Sequence, residues 1–403
     1  MSRAITLPGV RPGTVPIMAL GCGVMVGNIY LCQPLLAQIA QDFGIAERSA
    51  GLVAAATQVG YALGILLVVP LADVANPAKL VRWLLGLTTL GLIGAAIAPG
   101  IMVLAAASLA LATVTVVPQV LMPLAPALAA PEHRGRIVGS LMTGLVIGIL
   151  LSRTISGAVA QLTGSWRTSF GLAALLTASL FLVLPGFMPR RAESDPKSTY
   201  LTLLATLPPL LRHKPLLLSM GMNILVFGAF SAVWATLAFH LKGSPFGLGP
   251  AAAGFFGLWG APGALLAPMA GRLSDRWGSA RVNALAMASV MLALVIAGTL
   301  GERHVMALVI AVNFLDFGMQ SGQVANQTRI FALGDQIRGR LNTLYMAATF
   351  TGGALGAVAG GLAWTAAGWR GVCLLGGGMV ILAALILALA RIVGGEGKVA
   401  ASG

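Results

Sequence analysis

Apolar residues run along this chain in blocks of about twenty, separated by short polar turns. Crossing a hydrocarbon core of roughly 30 Å takes about 20 predominantly apolar residues in a helix. Twelve stretches meet that measure: 16–38, 50–71, 82–99, 101–129, 137–162, 169–188, 215–239, 250–270, 282–300, 305–329, 340–364 and 371–393. The pattern predicts an all-α membrane protein with twelve transmembrane helices. The connections are short except for residues 189–214, which carry Arg190, Arg191, Glu193, Asp195 and Lys197. Their place at mid-chain predicts a cytoplasmic linker between one six-helix bundle at 1–188 and another at 215–403. Within it, residues 200–211 are Leu-rich and are expected as a short amphipathic helix on the membrane surface.

A duplication supports the two bundles. Arg134-Gly135-Arg136 reappears 204 positions later as Arg338-Gly339-Arg340. Trp166-Arg167 reappears 203 positions later as Trp369-Arg370, and Leu71-Ala72-Asp73 has its counterpart 202 positions later in Leu273-Ser274-Asp275. Three landmarks at nearly one offset, half the length of the chain, predict two pseudo-symmetric halves of the kind from which transporters are built.

Composition agrees: 58% of the residues are apolar and 9% charged, against roughly 25% charged in soluble domains. The formal net charge of +14 raises the question of nucleic acid, and its distribution answers it. With the N-terminus inside, 19 of the 25 Lys and Arg residues fall on cytoplasmic connections and tails, 5 fall outside, and Arg153 alone lies within a span. That asymmetry is the positive-inside rule. It predicts a multi-pass protein of the cytoplasmic (inner) membrane with both termini cytoplasmic and no nucleic-acid partner. Arg3 and Arg11 precede an apolar stretch too long for a signal peptide, so the first span is expected to act as its own insertion signal. Cys22, Cys32 and Cys373 lie in apolar segments without metal-ligand spacing and are expected as core thiols. His133, His213, His240 and His304 are scattered near span ends. No nucleophile–base pair or metal cluster can be read, which predicts no enzyme activity, no cofactor and no metal.

The loop after the eighth span reads Gly271-Arg272-Leu273-Ser274-Asp275-Arg276-Trp277-Gly278-Ser279-Ala280-Arg281. It resembles the G-x-L-x-D-R-x-G-x-x-R signature of the major facilitator superfamily, at the position where that family carries it. Glycine permits a sharp turn and close helix approach. The resemblance implies that Gly271, Asp275, Arg276, Gly278 and Arg281 form a charged cytoplasmic latch. The first-half copy keeps Asp73 but has Val74 and Asn76-Pro77 where the Arg and the following residues would stand. The paired Arg-Gly-Arg and Trp-Arg landmarks also look like this superfamily, and the resemblance spans essentially the whole chain. Residues 28–34 and 148–153 are similar to the bacterial drug and sugar efflux permeases, a proton-antiporter branch. Gly144, Gly148 and Gly157 resemble the family's antiporter motif on the fifth helix, although its Gly-Pro pair is absent. The resemblance implies the major facilitator fold, alternating access, a small-molecule substrate, protons as the coupling ion, and a monomer in the lipid bilayer. Export of a drug or sugar-like solute by proton antiport is the expected function. A proton-independent facilitator or importer of the same fold, or a lipid flippase or sensor-like membrane protein, is the alternative.

Candidate chemistry concentrates in the tenth span. Asn313, Asp316, Gln320, Gln323 and Gln327 follow steps of 3 and 4 and so share one helical face, with Asn326 beside it. Such a face cannot meet lipid, which leaves a cavity wall or an interhelical hydrogen-bond ladder. The family's cavity is lined by the first, fourth, seventh and tenth helices, where this stripe would belong. Asp316 is the only acidic residue deep in a span. Burial there disfavours the charged carboxylate, as a proton carrier requires, but a structural or substrate-binding role is equally open. Arg153, the only deep basic residue, either binds an anionic group, compensates Asp316, or stabilises the fifth helix through backbone carbonyls. Gln119 matches Gln323 under the offset of 204. Asn28, Tyr30 and Gln33 in the first span are further cavity candidates, and Pro34 is expected to kink that helix. In the seventh span Asn223, Phe227, Phe230 and Trp234 make either an aromatic cavity wall or ordinary packing. Gly352, Gly356 and Gly360 are expected at a close helix contact.

Overall fold

The computed structural model describes residues 13–127, 131–188, 200–266 and 268–394; both chain ends and linker residues 189–199 lie outside the described residues. Among the described residues every regular element is helical. Ten segments are long and apolar enough to cross a bilayer. One of them, Asp335–Ile392, contains two helices that meet at Ala367 and Gly368. Gly368 there takes φ 56° and ψ −148°, a combination open essentially to glycine alone. The eighth predicted span is absent from the ten because it is broken into Pro250–Trp259, Ala261–Leu265 and Pro268–Trp277. With the double segment counted as two and the broken one as one, the described residues are consistent with the predicted twelve. They are α1 Thr14–Asp42, α2 Glu47–Asp73, α3 Pro77–Ala96, α4 Ile101–Ala127, α5 Pro131–Thr163 and α6 Trp166–Phe187. The second six are α7 Lys214–Lys242, the three-piece α8, α9 Ser279–Gly298, α10 Val305–Phe331, α11 (338–366) and α12 (369–394).

Proline explains where the helices break. It has no N–H to donate, and its ring clashes with the carbonyl four residues earlier. In α1 the regular helix stops at Tyr30, tightens to a 3₁₀ turn at Gln33–Leu35 around Pro34, and resumes at Leu36. In α4 the break separates Ile101–Val114 from Val117–Ala127, with Pro118 in the first turn of the second piece. In α8, Pro262 and Pro268 fall in the second and third pieces, where a continuous span 250–270 was expected. The expected amphipathic helix at 200–211 is shorter than its sequence suggests: one helix at Tyr200–Ala205 and a 3₁₀ turn at Pro208–Arg212. The Tyr200 hydroxyl donates to the Leu67 carbonyl at 2.7 Å.

The chain forms two compact units, one of residues 1–206 with 237–258 and one of residues 207–236 with 259–403. In the first, α1 and α5 touch backbone to backbone. A Cβ on Gly148 would stand 2.2 Å from the Gly23 carbonyl oxygen, so nothing larger than glycine fits. Asn28 on α1 donates to Thr177 on α6 at 3.2 Å. The second unit repeats the device between α7 and α11: a Cβ on Gly356 would lie 2.0 Å from the Gly228 oxygen. Asn223 on α7 donates to Thr349 on α11 at 2.6 Å. The Trp-Arg landmarks also act alike. Trp166 donates to Asp42 at 2.9 Å, while Arg167 pairs with that carboxylate and donates to the Ala98 carbonyl. Trp369 donates to the Ala297 carbonyl at 2.8 Å, and Arg370 pairs with Glu302. The first pair thus fastens the start of α6 to the end of α1 and to the connection after α3, and the second fastens the start of α12 to the end of α9 and the connection after it.

Candidate functional site

The polar stripe of α10 meets its neighbours residue by residue. Asn313 faces the break in α8. Its side-chain oxygen accepts from the Gly263 N–H at 3.1 Å, and its amide donates to the Trp259 carbonyl at 2.8 Å and to the Val309 carbonyl at 2.9 Å. A helix broken inside a membrane exposes backbone groups that must find partners within the protein. Asn313 supplies both a donor and an acceptor, which places it as a tie to α8.

One turn further on, Asp316 is buried at 5% exposure. Its carboxylate occupies the space beside Gly260, where a Cβ would come within 2.2 Å of Oδ2. The Gly260-Ala261-Pro262-Gly263 break in α8 therefore creates the recess that holds the acid. Hydropathy does not register these small residues, but two glycines around a proline inside a span are readable as a break. Among the described residues, Asp316 and Arg153 are the only buried members of the Asp, Glu, Lys and Arg class.

The rest of the stripe divides. Gln320 is half-buried and makes no hydrogen bond to another described residue. Gln323 donates to the Met346 sulfur at 3.7 Å and Gln327 to Asn342 at 3.1 Å, both toward α11. Asn326, on the adjoining face, accepts from Asn283 of α9 at 3.1 Å and from Arg329 at 3.0 Å. The stripe is in large part an interhelical ladder, with Asp316 and Gln320 at its centre.

In the first unit the structure gathers Tyr30, Gln33 and Arg153. The Arg153 Nε–H donates to Gln33 Oε1 at 2.8 Å, and the guanidinium lies 4.9 Å from the centre of the Tyr30 ring. A cation over an aromatic face is attracted by the ring's negative π surface. The kink at Pro34 turns Gln33 into a 3₁₀ turn beside α5, so the break expected of the proline is what positions the acceptor. The arginine's aliphatic stem packs on Gly257 of α8, where a Cβ would sit 3.1 Å from Arg153 Cβ. Arg153 is 2% exposed.

The other candidates are dispersed. Gln119 on α4 is half-buried and donates to the Tyr61 hydroxyl of α2 at 3.3 Å. Phe227 is buried between Phe230 and Phe350, with ring centres 5.5 Å away in both cases, and Phe230 in turn meets Trp234 at 6.1 Å. All of these rings are buried. Of the latch residues, Gly271, Asp275 and Arg276 lie in the last piece of α8. Gly278 takes φ 81° at the turn into α9, and Arg281 lies in the first turn of that helix. Asp275, Arg276 and Arg281 are exposed and form no ion pair with another described residue. Asp73 is exposed in the 3₁₀ turn that ends α2. The three cysteines are buried free thiols.

Comparison with known proteins decides the family. The model of the major facilitator superfamily matches residues 18–335. The chain belongs to the major facilitator superfamily. It is 35% identical over 378 residues to an uncharacterized transporter, YgaY, of Escherichia coli O157:H7, covering 94% of this chain and 95% of that protein. It is 37% identical over 374 residues to a probable transporter, SCO4007, of Streptomyces coelicolor, covering 91% and 85%. Among solved structures, the peptide transporter POT superposes with a TM-score of 0.75 at 14% identity, covering 95% of each chain. The nucleoside transporter NupG superposes with a TM-score of 0.73 at 13% identity, covering 93% and 98%. At those identities the superpositions speak to the fold alone. It is a multi-pass membrane transporter, not an enzyme.

Proposed function

We propose that this transporter is a secondary active exporter of a small organic solute, drug or sugar-like, driven by exchange for protons, and that Asp316 carries the proton. What supports this reading is the buried carboxylate of Asp316, the one buried acid among the described residues, held in the recess of a broken helix. In the proposed cycle Asp316 takes up a proton when its recess opens to one side of the membrane and gives it up when the recess opens to the other. The cycle is alternating access by rocking of the bundles at 1–188 and 215–403, joined by the linker 189–214, with both termini cytoplasmic. The exposed Asp275, Arg276 and Arg281, with Asp73, form the cytoplasmic latch. Gln320 contacts the solute, together with Gln323 and Gln119, whose amides each keep hydrogen-bonding capacity beyond the bond to Met346 or to Tyr61. Arg153 holds α1 against α5 through Gln33 and Tyr30. Export rather than import rests on the similarity of residues 28–34 and 148–153 to efflux permeases.

The test uses everted membrane vesicles with a respiratory proton gradient and a pH-sensitive dye. Sugars and amphiphilic drugs are added in turn. The expected result is a solute that discharges the gradient with the native chain. Asp316→Asn then abolishes the solute-linked proton movement while downhill flux of the same solute persists. Uphill transport at the native rate by Asp316→Asn would remove the acid from the coupling step.

A further inference from the structure

The second unit carries a groove apart from the proposed proton and solute residues. It runs between α9 and α12, has a volume of about 400 Å³, and is lined by Ala284, Ala288 and Met291 on one side and Ile381, Ala384 and Arg391 on the other. Four alanines (with Ala388) stand exposed where larger side chains would close the gap between the helices. On the same two helices Leu285, Leu292 and Leu385 are exposed at 53%, 44% and 53%. A face this apolar, on helices long enough to cross a bilayer, meets lipid chains.

One end of the groove is different. Arg391 lies in the last turn of α12 and lines the groove directly. Arg281 lies in the first turn of α9, three residues before Ala284 and seven before Ala288, and so on the same helical face. Both arginines are exposed, and neither forms an ion pair with another described residue. From Val380 to Arg391 the α12 wall covers about 16 Å at 1.5 Å per residue, or roughly half of a 30 Å hydrocarbon core. The groove therefore has the depth of one leaflet, with cations at the headgroup end and an uncharged trough beneath. Basic pockets between helices on the cytoplasmic side, the side to which the Lys and Arg distribution assigns this end, suit anionic lipid headgroups.

We propose that this groove is a binding site for one anionic phospholipid of that leaflet, its phosphate held by Arg391 and Arg281 and one acyl chain lying along the alanines. The lipid is the occupant favoured over a second copy of the chain because two unneutralised arginines at the mouth of a two-copy apolar seam would repel their counterparts.

Native mass spectrometry of the full chain in mild detergent tests this, with phosphatidylglycerol and phosphatidylcholine of identical acyl chains added in parallel. The native chain should retain one phosphatidylglycerol in preference to phosphatidylcholine. Arg391→Gln should lower that preference about fivefold, the effect of roughly 1 kcal/mol for one basic residue near an anionic surface. Ala384→Phe, which fills the trough, should abolish retention of both lipids. A phosphatidylglycerol with a photoreactive acyl chain should label peptides containing Met291 and Ile381 in the native chain, a readout that needs no variant to fold. Equal retention of the two lipids, an unchanged preference in Arg391→Gln, labelling confined to other helices, or a lipid-free dimer that Ala384→Phe dissociates would each overturn the proposal.

Discussion

Asn313 and Asp316 are three residues apart and have different work. Asn313 satisfies the backbone of a broken α8, and Asp316 fills the recess that the break leaves. Removing the amide in Asn313→Ala strands the Gly263 N–H and the Trp259 carbonyl. A buried polar group left without its partner costs ~1–3 kcal/mol, so the apparent melting temperature in detergent should fall clearly. An unchanged melting temperature would show that water replaces the amide. Gln33 is the corresponding test in the first unit. Hydrogen bonds to charged groups contribute ~1.5–3 kcal/mol, so Gln33→Leu should destabilise the fold by about that much, and Gln33→Glu should preserve it by keeping an acceptor for Arg153. Equal losses in both variants would mean that side-chain shape, not the hydrogen bond, matters there. The shared face of the α10 stripe and the depth of Arg153 were both legible in the sequence, because helical spacing and span limits set them. Their partners were not. Which side chain crosses to which helix depends on rotation and on proline-induced breaks, and one sequence does not encode those as a period.

At the scale of elements, the two α1–α5 and α7–α11 contacts are built by glycine without a hydrophobic driving force, which is how helices associate in lipid. Gly148→Ala and Gly356→Ala each put a methyl into a backbone carbonyl that has no side-chain freedom to yield. Overpacking of this kind costs ~1–3 kcal/mol. Gly378→Ala, in α12 where a Cβ meets nothing within 4 Å, is the control and should be neutral or slightly stabilising. Thermal unfolding of the three variants separates close packing from a general glycine effect; three equal shifts would contradict it. The Gly352, Gly356 and Gly360 spacing predicted one of these contacts from sequence alone. The α8 region was read as a single span because hydropathy counts apolar residues and gives glycine and proline little weight. Its three pieces follow from Pro262 and Pro268, which remove N–H donors at the points where the helix stops.

The whole molecule repeats a frame and varies its contents. The helix contacts, the Asn–Thr bonds and the Trp-Arg fastenings recur in both halves, as the offset of about 203 residues implied. Asp316 and Arg153 do not recur, since the same offset of 204 leads from them to Ala112 and Ala357. The family and the twelve helices follow from the repeated part, which hydropathy and motif spacing display directly. The coupling chemistry is assigned to the part that differs. The most direct measurement is solute-driven proton movement in everted vesicles containing either the native chain or Asp316→Asn at equal protein levels. The native chain should move protons in the direction opposite to the solute, and the variant should move solute only downhill, with no proton signal. Full uphill transport by Asp316→Asn, accompanied by the native proton signal, would contradict it.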